Sequence, residues 1–313
     1  MKGTGKQWLS LGTLAGFFFC ACIGASAQTA QSGQSGQSSQ SGQSTQSGQS
    51  GQTSQSGQAA TAGQAQGDKD KADSLSLSVA PPPVDPAEDA AFKAFNEIPI
   101  TDGAKKTAAG EEFAQKYPQS RYLPPVYSSL VKLYLEANDL KKMQDVGEKD
   151  VALAPNDVQT LAILGQTLPR AWNSTMPNAA DQLDKAEKYS KSAIELTPTI
   201  AKPVELSDAQ FAMAKNQTLA MAHSGLGLVY FRRGKFDAAI PEFEEATRVD
   251  PGPGFDPVNY YVLGISEEKT SHFAAAESAF EKCATAPGGL QATCKNGAAE
   301  AKKLSQTQLS APQ

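Results

Sequence analysis

Apolar positions change their spacing at about residue 86 of the 313-residue chain. Beyond that point Leu, Ala, Tyr and Phe recur at intervals of three and four. This is the period of helices that bury one face, and the alternation that marks strands is nearly absent, so an all-α fold is expected. Before residue 86 two other patterns occur. Residues 1–27 begin with Lys2 and Lys6, continue as a mostly apolar stretch from Trp8 to Ile23, and close on Ala25, Ser26 and Ala27. A charged start, an apolar middle and a small-residue end form an export signal, with a mature chain beginning at Gln28. The apolar stretch is short for a bilayer span and no later stretch reaches the required length, so no integral span is expected in the mature chain. Residues 28–85 then carry almost no apolar pattern. Their first part, 31–58, is built almost wholly from Gln, Ser and Gly, and it passes into a Pro-containing stretch ending "APPPVDP". Without apolar groups to bury, nothing offsets the entropy of ordering such a segment, and a flexible tether is expected. As a Gly-rich coil it would span roughly 40 Å. Gly at about every third position disfavours the strand stacking that self-association of a Gln-rich segment would need.

Within the helical part, "LGLVYFRRGKFDAAIPEFEEATRVDP" at 226–251 has the most regular spacing. On a 34-residue frame starting at Ala220, Leu226 and Gly227 take positions 7 and 8, Tyr230 position 11, Ala239 position 20, Phe243 position 24, Ala246 position 27 and Pro251 position 32. This set resembles the tetratricopeptide repeat, in which two antiparallel helices pack through a seam. Gly227 and Ala239 are small where the helices touch, and Leu226, Tyr230, Phe243 and Ala246 fill the seam. Gly234 permits the turn, and Pro251 ends the second helix.

Neighbouring segments fit the frame with departures. A repeat at 257–290 carries Tyr260, Leu263, Gly264, Ala276 and Phe280, but Glu267 and Cys283 stand where Tyr and Ala are usual. One starting at Pro124 carries Tyr127, Leu130, Tyr134, Leu140 and Pro155, with Gly147 and Asp150 in place of Phe and Ala. Between them, Leu161, Leu164 and Gly165 match a first helix and Ala186, Ala193 and Pro198 a second, separated by about nine extra residues around "TLPRAWNSTMPN". A further insertion, "IAKPVELSDAQFAMAKNQ", precedes the best repeat, 220–253, and is expected to extend its first helix. Residues 87–118 form a degenerate first pair, and "YPQSRY" at 117–122 is a junction similar to one in repeat proteins of the gram-negative envelope. The resemblance implies a right-handed α-solenoid of four to five helix pairs over 86–307. It ends in a polar capping helix at 291–307, with a flexible tail at 308–313.

Composition adds exclusions. The formal net charge is −5, and losing Lys2 and Lys6 with the leader makes it two units more negative. That argues against a nucleic-acid binder or an anionic-membrane binder, which need a basic face. Of four cysteines, Cys20 and Cys22 fall in the leader. Cys283 and Cys294 remain, and in an exported chain they are expected to form a disulfide. Cys22, in "FCA", offers an alternative route to the envelope, lipid attachment as in bacterial lipoproteins, although Phe19 stands where such signals usually carry Leu.

Catalytic chemistry finds little material. His223 falls at a seam position and His272 in a turn. "GLG" at 225–227 lacks the third glycine and preceding strand of a dinucleotide loop, and the carboxylates of "EFEE" read as a solvated face. No catalytic set, metal cluster or cofactor is expected. The expected activity is protein binding. Repeats of this kind expose their first helices on a concave surface, which here would place Met221, Ser224, Leu228, Phe231 and Arg232 beside Val258, Tyr261, Ile265, Glu268 and Lys269. Leu228, Phe231, Tyr261 and Ile265 would then form an apolar strip for a protein or peptide partner, edged by Arg232 and Lys269. The alternative is that these side chains pack against the adjoining repeat or the capping helix. The Lys and Asn by which the chaperone-tail type of the family binds are absent from both well-matched repeats. The resemblance and the leader imply an exported scaffold in the cell envelope. The alternatives are a lipid-anchored assembly factor and a regulatory subunit of an exported enzyme.

Overall fold

The structure, a computed structural model, describes residues 85–249 and 255–309. The expectations for the leader, for Cys22, for the tether up to residue 84 and for Pro251 lie outside the described residues, as does the tail from residue 310.

Among the described residues there are eleven α-helices and no strand. They form five antiparallel pairs: α1 (Pro86–Glu97) with α2 (Gly103–Lys116), α3 (Leu123–Glu136) with α4 (Leu140–Leu153), α5 (Val158–Ala171) with α6 (Ala179–Leu196), α7 (Asp208–Arg232) with α8 (Phe236–Val249), and α9 (Pro257–Lys269) with α10 (Phe273–Ala284). The final helix, α11 (Gln291–Leu309), packs on α10. Each pair's second helix also meets the next pair's first helix, which is how repeats too small to bury a face alone share one core. The insertion before the best repeat does lengthen α7 to 25 residues, and α11 runs two residues beyond the expected end.

Local chemistry sets the helix starts. Asp85, Asp139, Asp157 and Asp256 accept backbone N–H bonds at the N-termini of α1, α4, α5 and α9. Ser207 and Gln210 form a reciprocal capping box on α7. The turns inside the pairs share one device. Asn138, Gly234 and Ser271 adopt φ of 55°, 72° and 65°, and each stands at position 15 of its frame. In each turn the left-handed residue and its successor donate back to the third- and fifth-preceding carbonyls, as in Gly234→Phe231 and Lys235→Tyr230.

The seam of pair 4 is filled as the spacing requires. Leu226, Gly227, Ala239, Phe243 and Ala246 are buried and Tyr230 is half-buried. A Cβ on Gly227 would meet the Phe243 ring at 3.0 Å, and one on Gly264 would meet Phe280 at 2.7 Å. The irregular repeats solve the same seam differently. In pair 2 the volumes are exchanged: Val131 is fully buried at position 8, while Gly147 at position 24 lies against Leu164 of α5. In pair 3, Gly165 meets Ser190, small against small, and Gly225 of α7 closes on the same point. Three helices therefore converge there. In pair 5, Cys283 is buried and disulfide-bonded to Cys294 of α11, with Cα atoms 5.8 Å apart.

Candidate functional site

The expected groove residues lie on α7 and α9, but two of the eight are interior. Ser224 is 0% and Leu228 3% exposed. Ser224 lies beside the convergence of Gly165, Ser190 and Gly225, which draws α7 onto α5, and it bonds both Arg170 of α5 and Asn259 of α9. Leu228 packs with Val262 and Leu263 of α9. Met221 is half-buried against Leu161 and Ala162. Phe231 meets Phe236 edge to face, with ring centroids 5.6 Å apart, inside its own pair. Tyr261 lies 6.2 Å from the Phe280 ring and, with Ile265, packs beside Ala298 of α11. Burial pushes the Tyr261 hydroxyl pKa up. The apolar strip is thus largely the joint between repeats and cap rather than the floor of an open groove. Lys269 remains exposed.

Arg232 is engaged as well. Its Nε donates to the carbonyl of Pro169 at 3.2 Å, and its guanidinium lies over the Trp172 ring, 5.6 Å from the centroid. A cation here meets the carbonyl-rich C-terminal turn of α5 and an aromatic face. Burial holds its pKa below the usual arginine value.

Sequence reasoning passed over a polar thread through the three first helices α5, α7 and α9. Arg170 forms an ion pair with Asp256, which also caps α9. Its Nη2 donates to Ser224 Oγ at 3.4 Å, and Ser224 in turn donates to Asn259 Oδ1 at 2.6 Å. Asp256 before Pro257 was legible as a helix start, but nothing local in "TLPRAWN" announced its partner 86 positions away. These groups bond to one another, and the thread holds no nucleophile beside a general base.

The histidines pair with carboxylates of their own repeats: His223 Nδ1 lies 2.8 Å from Glu242 Oε2 and His272 Nδ1 2.9 Å from Glu267 Oε2. Glu242, in the stretch expected to be a solvated face, is half-buried, whereas Glu244 is exposed. Among the described residues, no group of three or more His, Cys, Asp or Glu could hold a metal ion. No described helix is long and apolar enough to cross a membrane.

A second interior group lies where pair 2 departs from the pattern. Asp150 is fully buried and accepts from Thr160 Oγ1 at 2.6 Å. Burial pushes its carboxyl pKa up to about 7, against the pull of the Thr160 bond and Lys132.

Among the described residues, clefts open on the surface at two places on the stack. One, of about 540 Å³, lies between α2 and α3 and is bordered by Ala104, Ala108, Glu111, Tyr134, Glu136 and Asp139. The other, of about 420 Å³, lies among α8, α9 and α10, beside Glu244, Tyr260, Glu267 and Lys282.

Comparison with known proteins gives one match in sequence and several in shape. Residues 220–253 match the tetratricopeptide repeat family, so the chain carries one such repeat on the frame that its spacing picks out. No curated protein matches the chain. Solved structures similar to it include a thermophilic tetratricopeptide repeat protein of Thermus thermophilus, at 16% identity over 68% of this chain and 98% of that one, TM-score 0.42. Pseudomonas aeruginosa pilF is similar at 13% identity over 72% and 95%, TM-score 0.43. Yeast Tom70 is similar at 15% identity over 71% and 39%, TM-score 0.40.

Proposed function

We propose that this chain is an exported, non-catalytic scaffold that holds a protein or peptide partner in the bacterial cell envelope. The observation that carries the reading is the tetratricopeptide repeat at 220–253 set in a stack of five helix pairs, an architecture that offers surface rather than reactive groups. Export is supported by the leader pattern of residues 1–27 and by the buried Cys283–Cys294 disulfide, since such bonds persist in oxidising compartments. Acidic balance favours a protein over a nucleic acid as partner.

Capture from envelope extract tests the scaffold reading, with the mature chain as bait and the 28–85 tether alone as control. A partner retained by the chain and not by the tether supports it, and recovery of nothing above the control rejects it. Cys22 favours a second reading, a lipid-anchored assembly factor. Mass spectrometry of the mature N-terminus separates the two: Gln28 supports the first, and acylated Cys22 the second.

A further inference from the structure

We propose that the cleft between α2 and α3 is a docking site for a basic, amphipathic segment of a protein partner. The proposal rests on the reading of the array as a protein-binding scaffold and adds a place and a chemistry to it. The cleft exists because its walls are small: Gly103, Ala104 and Ala108 from α2, and Ala137 just past the end of α3, stand around the buried Leu133. Its border is acidic. Glu111 accepts from the Tyr134 hydroxyl and from Lys142, and those bonds hold its carboxyl below the usual range, so it stays ionised. Glu136 and Asp139 add two further carboxylates. Glu136 is the last residue of α3, whose final turn contains no basic residue, although the helix dipole favours a cation at that end. Lys142, bonded to Glu111 at 2.9 Å, and the N-terminus of α4, which Asp139 caps, offset part of this charge and leave that of Glu136 at the end of α3. Two of the large apolar side chains left in solvent adjoin this border in sequence. Ile100, 47% exposed, precedes Gly103 by three residues, and Leu140, 37% exposed, follows Asp139.

An acidic border flanked in sequence by exposed apolar residues calls for a ligand that carries both complements, Lys or Arg interleaved with apolar residues. The first-helix face offers no such combination, because its Arg170 and Asp256 pair with each other and its apolar strip is packed against repeat and cap.

The probe is a fluorescently labelled helical peptide of repeating Leu and Lys, compared with its Leu–Glu counterpart by anisotropy against the full mature chain. The Lys peptide should bind saturably, one per chain, and about tenfold or more tighter than the Glu peptide. Glu136→Lys should weaken it about fivefold or more, and Ile100→Ser severalfold. Both changes lie on exposed positions, and circular dichroism should show unchanged helix content. Glu300→Lys, the same charge change on α11, should leave binding unaltered. Equal weakening by Glu136→Lys and Glu300→Lys would mean general attraction to an acidic chain and would overturn the site, as would equal binding of the two peptides or no binding. An envelope partner that Glu136→Lys leaves fully bound overturns the cleft while the scaffold reading stands. Local peptide binding with no envelope partner above the tether control rejects the scaffold reading alone.

Discussion

Asp150 shows how one side chain can depart from a repeat pattern and leave a measurable trace. It stands where a small apolar residue is usual, enclosed by α3, α4 and α5, with Thr160 as its hydrogen-bond donor and Lys132 and Asp157 as its charged neighbours. Its folded-state pKa is raised from 3.8 to about 7. Between those values the folded chain keeps a proton that the unfolded chain releases, so stability falls as pH rises through that window. The full penalty, on the order of 4 kcal/mol, is present above it. Asp150→Asn should therefore stabilise the protein more at pH 8 than at pH 5 in urea titrations; parallel profiles would show that the carboxyl is not the cause. Ser271 is a second single-residue case, because only a glycine holds a φ of 65° without a side-chain penalty. Ser271→Gly should stabilise by about 0.5–1 kcal/mol and Ser271→Val should destabilise, both read from melting temperatures.

Where helices meet, the informative joint is the one between α5, α6 and α7. A Cβ on Gly165 would come within 2.4 Å of Ser190 Oγ, and one on Gly225 within 2.5 Å of the Gly165 carbonyl. Ser190 occupies the position at which Phe243 and Phe280 fill pairs 4 and 5. Ser190→Phe would restore the usual repeat residue, yet it should destabilise by about 1–3 kcal/mol or more through overpacking. A raised melting temperature would show that the three helices can separate at little cost. The disulfide acts on the last joint. It closes a loop of sequence separation 11 between α10 and α11, and chain entropy assigns such a loop roughly 3 kcal/mol. Replacing both cysteines by Ala should lower global stability by up to that amount. It should also speed amide exchange in α11 ahead of α7; uniform exchange would mean that α11 is held by packing alone.

Across the whole described array, most contacts join neighbours, as a stack of repeats requires. The Arg170–Asp256 pair is an exception, since it reaches from pair 3 to the start of pair 5. Both side chains are largely shielded, at 17% and 27% exposure, so the pair is worth more than a surface contact and responds less to salt. Arg170→Met should cost about 1–3 kcal/mol and loosen α9 more than α3 in hydrogen exchange. Equal effects on the two helices would limit the pair to a local role.

Helix number, pairing and the register of the best repeat were legible in the sequence, because they follow from local rules. Apolar spacing sets which face a helix buries, Gly234 marks the turn, and Gly227 opposite Phe243 keeps the volume of one seam. Those are properties of residues a few turns apart. What the concave face became was not legible, because it depends on how closely non-neighbouring helices approach. Ser224 and Leu228 stand at positions that an isolated pair would expose, and they are interior because neighbouring pairs close on α7 from both sides: α5 approaches through Gly165, Ser190 and Gly225, and α9 packs Val262 and Leu263 against Leu228. Asn138 and Ser271 share the turn geometry of Gly234 without sharing its residue type, since the hydrogen bonds of the turn impose the left-handed φ. The acidic cleft between α2 and α3, likewise, gathers side chains from separate helices whose nearness only the packed stack decides.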